Sequence, residues 1–277
     1  VRIPRTVVGL AVVIFVVVAG ALSSDPYTMD PRARLSPPGA EYWLGTDEQG
    51  RDVFGRLLLG TVVSVSVAAA ATAVSSVLGL TLGLVAGYRG GTFDAVFGRA
   101  AEAVQAIPKL PLLLLFASVE PSAFGLSPGS ASDLARIVVL FGLLGWVTMA
   151  RVVRARAAQL REEPWVEAAR GLGLSEFRVA VQHVIPHLGG PVRVTASLDL
   201  ADAILLETSL SFLGLGVRPP MPSLGNLLSR GITYMTAAPW LLWAPGLVTV
   251  AWVVFFGWWA ERSRSAQNPV ADPVAPR

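Results

Sequence analysis

The stretch LLGTVVSVSVAAAATAVSSVLGLTLGLVAGY, residues 58–88, carries no charged side chain. It exceeds the roughly 20 apolar residues that an α-helix needs to cross the hydrocarbon layer of a bilayer. Inside a bilayer the backbone must satisfy its own hydrogen bonds, so such a stretch is predicted to be a helix. Gly79, Gly83 and Gly87 recur every fourth residue along it, which leaves one face bare enough for a neighbouring backbone to approach closely. Working outward, comparable apolar stretches lie at 7–22, 100–119, 134–153, 191–213 and 239–259. Six spans and an all-α polytopic membrane protein are the expectation.

Composition agrees. Hydrophobic residues make up 53% of the 277, charged residues 15%, and mean hydropathy is +0.58. A soluble domain has about 25% charged residues, so a water-soluble enzyme is excluded. The absence of cysteine removes disulfides, thiolate nucleophiles and cysteine metal sites. The formal charge of +3 comes from basic residues that are all Arg except Lys109. In a membrane protein these mark cytoplasmic loops rather than nucleic-acid binding.

The first stretch follows Arg2 and Arg5 and ends near small residues at 19–21, a pattern shared with cleavable leaders. It reads as a retained span because further spans follow. Residues 24–57, crowded with Pro, Asp and Arg, form an extracytoplasmic loop, 57–260 the core, and 261–277 a loose polar cytoplasmic tail, all in one transmembrane domain over 1–277. Six spans put both ends on one side. That side collects 14 arginines and the other seven. Both termini are therefore predicted to be cytoplasmic.

The arginine-rich segment 154–190 holds REEPWVEAARGLGLSEFRVAVQHVIP, residues 161–186. Pro164 behind Glu162 and Glu163 suits a helix start. Gly171 and Gly173 stop that helix within about two turns, Ser175 can cap a second, and Pro186 marks its end. Two short helices joined at a glycine elbow are the expectation. Ala168 and Ala169 leave the first helix with little bulk, so that another protein's groove can close on its backbone, and Glu167 offers one anchoring charge. An ordinary amphipathic cytoplasmic loop has the same periodicity.

Glu167-Ala168-Ala169, then Gly173, then His183-Val184-Ile185-Pro186 resembles the E-A-A loop of permease subunits in ATP-binding-cassette importers. The His-Val-Ile-Pro element is similar to the peptide-importing branch. Residues 44–56, LGTDEQGRDVFGR, resemble the signature ahead of span two in the second, C-type, permease of dipeptide, oligopeptide and nickel importers. Residues 206–217, LETSLSFLGLGV, with Pro219-Pro220 and Gly225-Asn226, resemble that family's exit from span five. The tail departs from the family, with Trp258-Trp259-Ala-Glu-Arg-Ser-Arg in place of a Gly-Asp and Arg-Asp-rich end.

The resemblance implies a type I importer permease fold in a bacterial plasma membrane. It also implies a coupling helix (Glu167, Ala168, Ala169, Gly171, Gly173, Pro186) seated in an ATPase, and alternating access. The implied partners are a second homologous permease, two ATP-binding subunits or one fused ATPase, an extracytoplasmic binding protein and membrane lipid, with no nucleic acid. ATP and Mg would be bound by those partners and no cofactor by this chain.

The residues themselves support the division of labour, since no G-x-x-x-x-G-K-[ST] loop occurs. Gly125-Leu-Ser127-Pro-Gly129 fits G-x-S-x-G, but Pro128 lacks the N–H that an oxyanion hole needs there, so it reads as an outward turn. His183 and His187 have zinc-ligand spacing, but Pro186 is expected to misalign them and no third ligand is nearby, so no metal site is expected. Asp199, Asp202 and Glu207 fall within an arc of about 140° on one helix. They are candidates for a pathway wall that attracts a cationic group; the alternative for Asp199 and Asp202 is a place near the cytoplasmic end or an Arg partner. Other readings left open are a nickel or small-solute permease and a membrane assembly protein.

Overall fold

A computed structural model describes residues 25–119 and 129–265. The first apolar stretch, most of the 125–129 turn and the tail beyond Ser265 lie outside the described residues. Among those described, extended pairing is limited to one isolated bridge between Thr46 and Asp52. The regular structure is otherwise helical, joined by turns and loops: α1 (Val53–Arg89), α2 (Gly91–Gln105), α3 (Lys109–Ala117), α4 (Ser130–Arg161), α5 (Pro164–Gly171), α6 (Glu176–Val179), α7 (Ile185–Phe212), α8 (Leu224–Thr233) and α9 (Trp240–Ser265).

Helices α1, α4 and α9 are long and apolar enough to cross a membrane. Helix α7 has the length, 28 residues, but carries Arg193, Asp199, Asp202 and Glu207, charges that a membrane tolerates only against protein or water. The span expected over 100–119 is not one rod. It is broken into α2 and α3, which meet at 76°. Pro108 lacks the N–H that would continue the ladder and pushes Ile107 out of helical geometry, so the chain turns there.

The chain divides into two compact units. In the first (residues 25–69, 113–119, 129–138 and 202–255), the segment ahead of α1 is folded rather than loose. The Asp47 carboxylate accepts the backbone N–H of Gln49 (2.8 Å) and Arg51 (3.0 Å) and the Arg51 Nε–H (2.7 Å). Arg56 of α1 stands 3.5 Å away, and Glu48 pairs with Arg230 of α8. Gly50, at φ +75°, presses on the backbone of Asp30, so only glycine serves there. Val53, Ala238 and Leu241 close a core beneath this cap, and Leu57, Leu224 and Leu227 a second.

In the second unit (70–112, 139–201 and 256–265), the three glycines of α1 lie on α4. A Cβ on Gly83 or Gly87 would collide with the backbone carbonyl of Ala150 or Arg154, and one on Gly79 with Met149. Arg154 of α4 holds Asp94 of α2 with two bonds, 2.5 and 2.8 Å. Gly83→Leu is expected to lower the stability of the purified chain by about 1–3 kcal/mol, the usual penalty of overpacking. Gly189→Ala on α7, which meets nothing within 4 Å, should by contrast leave stability unchanged or raise it by up to about 1 kcal/mol in the same thermal-unfolding assay.

Candidate functional site

Helix α5 begins as its sequence dictates. Glu163 is the N-cap, and Pro164 takes the first helical position, where a missing N–H is harmless. It ends in a Schellman closure: the Gly173 N–H donates to the Arg170 carbonyl (2.9 Å) and the Leu174 N–H to the Ala169 carbonyl (3.3 Å). Gly173 sits at φ +81°, the left-handed residue that this closure requires. Gly171 is the last helical residue and has no such constraint. Ser175 then caps α6, accepting the Arg178 N–H at 3.4 Å.

The second helix does not end at Pro186. Helix α6 runs through a π turn, Ala180–Val184, directly into α7, and Pro186 is the second residue of that helix. The π turn lies just ahead of the proline, where the missing N–H already breaks the regular ladder.

One face of α5 is spoken for by its own chain. Val166 and Ala169 are buried with Met149, Val153 and Leu160 of α4 and with Val179, Val184 and Leu188. Ala169, only 6% exposed, is therefore not available to a groove in another protein: its small size serves internal packing. Glu167, Ala168 and Gly171 form the free face. Two side chains that the sequence reading passed over stand beside it, Leu172 at 84% and Phe177 at 80% exposure, on either side of the Gly173 elbow. An apolar residue inside Gly-x-Gly, where no helix stripe can absorb it, was the available signal.

Both ends of α5 are fastened. At its start, the Trp165 ring stacks on His187 (centroids 5.0 Å, planes 24° apart) and on His183 (6.4 Å, 26°). Pro186 thus does not misalign the two histidines; they share one face, engaged with an aromatic ring. Among the described residues, no group of three or more His, Cys, Asp or Glu is placed to hold a metal.

At the other end, Arg170 pairs with Glu176 (3.0 Å), which accepts the Tyr88 hydroxyl at 2.6 Å, while the Arg170 guanidinium lies 5.5 Å from the Tyr88 ring centre. The Tyr88 bond, aided by the Arg170 pair, holds the Glu176 carboxyl below the usual carboxylate range against the opposing effect of burial. The clasp thus contributes fully above the ordinary Glu range and is lost as pH falls through the lowered value.

The acids of α7 do not form one surface. Asp199 is half-buried in the second unit. In the first unit Asp202 is exposed, whereas Glu207 is 0% exposed. The Glu207 carboxylate accepts the Ser211 hydroxyl at 2.6 Å, and Ser64 and Ser223 stand beside it. Ser64 in turn accepts the Leu224 N–H at the start of α8 (3.1 Å), and Ser223 and Asn226 form a capping box there. The expectation that Glu207 helps line a pathway wall is corrected in this respect: its carboxyl is enclosed among hydroxyls that join α1, α7 and α8.

A family model described as binding-protein-dependent transport system inner membrane component matches residues 79–265. The chain belongs to this family. It is 32% identical over 249 residues to the oligopeptide transport system permease protein OppC of Mycobacterium tuberculosis (strain ATCC 25618 / H37Rv), covering 89% of this chain and 83% of that one. It is 32% identical over 268 residues to the dipeptide transport system permease protein DppC of Alkalihalophilus pseudofirmus, covering 95% and 85%. Against the OppC of Bacillus subtilis (strain 168) it is 34% identical over 209 residues, 76% of this chain; the match spans 65% of that relative's length.

The fold is shared with the MetNI methionine ABC transporter in inward-facing conformations (TM-score 0.56, 17% identity, 76% of this chain and 95% of that one). An amino acid ABC transporter gives a TM-score of 0.50 at 16% identity, covering 75% and 94%. The all-α architecture expected for an importer permease is thus the architecture of this membrane subunit.

Replacing Glu207 by Ala is expected to destabilise the purified chain by about 2–4 kcal/mol, through a cavity and stranded hydroxyls. Glu207→Gln should cost less, and Asp202→Asn should be near neutral. Thermal unfolding in detergent ranks the three; a Glu207 that merely faced a water-filled path would give no such order.

Proposed function

We propose that this chain is the second, C-type, permease subunit of an ATP-driven importer of peptides, forming half of the translocation path in the plasma membrane with both termini cytoplasmic. The observation that carries the reading is the E-A-A hairpin. Its inner face is locked into its own chain while Glu167, Ala168, Leu172 and Phe177 are exposed. One carboxylate on a helix anchored at both ends, with two exposed apolar side chains flanking the elbow behind it, suits docking into a cleft of a separate ATPase. Peptides are favoured as cargo because the relatives that match most of the chain are oligopeptide and dipeptide permeases.

In this reading ATP and Mg bind two ATP-binding partners or one fused ATPase. ATP closes the partner, the hairpin moves with it, and the path opens toward a loaded extracytoplasmic binding protein. A related permease subunit supplies the other half of the path. The hairpin can bias these states only by contacting the ATPase differently in each. Glu167 supplies the anchoring contact, Ala168 the close approach, and Gly173 the rigid elbow behind them. Asp202 remains available to a cationic group in the path.

Glu167→Lys is expected to leave membrane insertion intact while uptake of labelled dipeptide and tetrapeptide falls at least tenfold per ATP hydrolysed, about 1.4 kcal/mol of lost coupling. Transport and ATPase assays in proteoliposomes holding the co-purified complex check this. Unchanged coupling in that variant, or a chain that never co-purifies with an ATP-binding protein, counts against the reading.

A further inference from the structure

From Glu176 to Phe212 the backbone is one continuous helical run whose ladder is interrupted twice, at the π turn ahead of Pro186 and at Pro191, and the first interruption lies beside α5. At Ala180–Val184 the bonding is of π type, with the Ile185 N–H reaching back to Ala180, and Pro186 then contributes no N–H at all. A push on the near side of such a turn is absorbed by bending unless something outside the helix bridges it. Trp165 is placed to do that. Its ring lies on His183, inside the π turn, and on His187, beyond Pro186, with both imidazoles within 26° of its plane. His187 adds a bond from Nδ1 to the His183 carbonyl at 2.7 Å, which fixes its Nδ1 as the protonated nitrogen. Trp165 itself belongs to α5, whose opposite face is exposed.

We propose that Trp165 is the positioning residue through which displacement of the docking helix α5 reaches α7, its ring splinting the weak turn across His183 and His187. This rests on the reading of α5 as the contact with an ATPase and adds the route by which that contact acts. The Arg170, Glu176 and Tyr88 clasp holds the other end of α5 to the end of α1, so α5 turns about the clasp and delivers its motion at the Trp165 end. The assignment is specific to ring stacking. A tryptophan serving only as core filler would be replaceable by any apolar side chain of similar bulk.

The chain lacks cysteine, so two labels can be placed without background. Nitroxides on Leu143→Cys of α4 and Leu198→Cys of α7, both exposed positions, report the distance between the helices in the complex with its ATP-binding partners. Adding a non-hydrolysable ATP analogue is expected to redistribute two distance populations. Trp165→Ala and His187→Ala should each reduce that redistribution about two- to tenfold, the equilibrium equivalent of one aromatic pair. ATP turnover and partner binding should persist. Trp165→Phe should restore the response and Trp165→Leu should not, and the double alanine variant should be no worse than either single one.

If Trp165→Ala does not fold, the exposed His187→Ala carries the same expectation. A full response in His187→Ala or Trp165→Leu overturns the proposal, as does an unsubstituted joint whose distances ignore the nucleotide. Loss of coupling in Glu167→Lys alongside an unaltered Trp165→Ala would sink the splint and leave the ATPase contact standing. Failure of any ATP-binding protein to co-purify would sink both.

Discussion

An isolated helix of two turns has too few internal hydrogen bonds to persist in water. Helix α5 therefore exists because Val166 and Ala169 are pressed into the cluster formed by Met149, Val153, Leu160, Val179, Val184 and Leu188. Everything that the hairpin offers to a partner follows from that burial. With positions 166 and 169 inward, helical geometry turns 167 and 168 outward, and Leu172, the C-cap ahead of the Schellman closure at Gly173, is left exposed. The exposed face is the remainder after the chain has satisfied its own packing. A substitution at Val166 or Ala169 would therefore alter docking by releasing the helix, without touching any docking residue.

The apolar helices were legible because their chemistry is local. A charge-free run of residues admits few structures in lipid, and α1 begins just after Arg51 and Asp52 and ends at Arg89. The break at 106–108 was also written in the chain, as Pro108, but averaging hydropathy over a span blurs a single residue that costs one hydrogen bond and changes direction. Pro186 misled in the opposite sense. Read as a terminator, it is instead accommodated by a π turn, because the helix on both sides is held by contacts that no local rule counts. The spacing of His183 and His187 was visible, but the Trp165 between them and the rest of the hairpin comes from another helix. Pairings of that kind appear only when the tertiary fold is known.

The division between Ala168 and Ala169 shows how a motif and a mechanism differ in resolution. The E-A-A string says that the positions are small, not why each one is. Periodicity supplies the reason, since Val166 and Ala169 lie three apart on one stripe while Glu167 and Ala168 flank it. Ala168 is small on the outside, where a groove can close over it. Ala169 is small on the inside, where Leu174 follows the Schellman turn back onto the cluster.

Glu207 and the segment ahead of α1 show two ways of keeping charge inside the same unit. Asp47 and Glu48 are shared among Arg51, Arg56 and Arg230, so removing either acid leaves buried guanidinium charge without its counterpart. Glu207 has hydroxyls around it instead, and these also hold α8, through the Leu224 N–H on Ser64 and the capping box of Ser223 and Asn226. Asn226 further donates to the Val217 and Met221 carbonyls, at 3.2 and 2.9 Å, so the turn after α7 hangs on the same group. A network of neutral donors and acceptors around one carboxyl is directional, and it fixes where α8 begins rather than how strongly it is attracted. The residues that look most like a substrate lure by sequence are therefore divided by the fold: one acid sets the register of a short helix, and another stays on the surface.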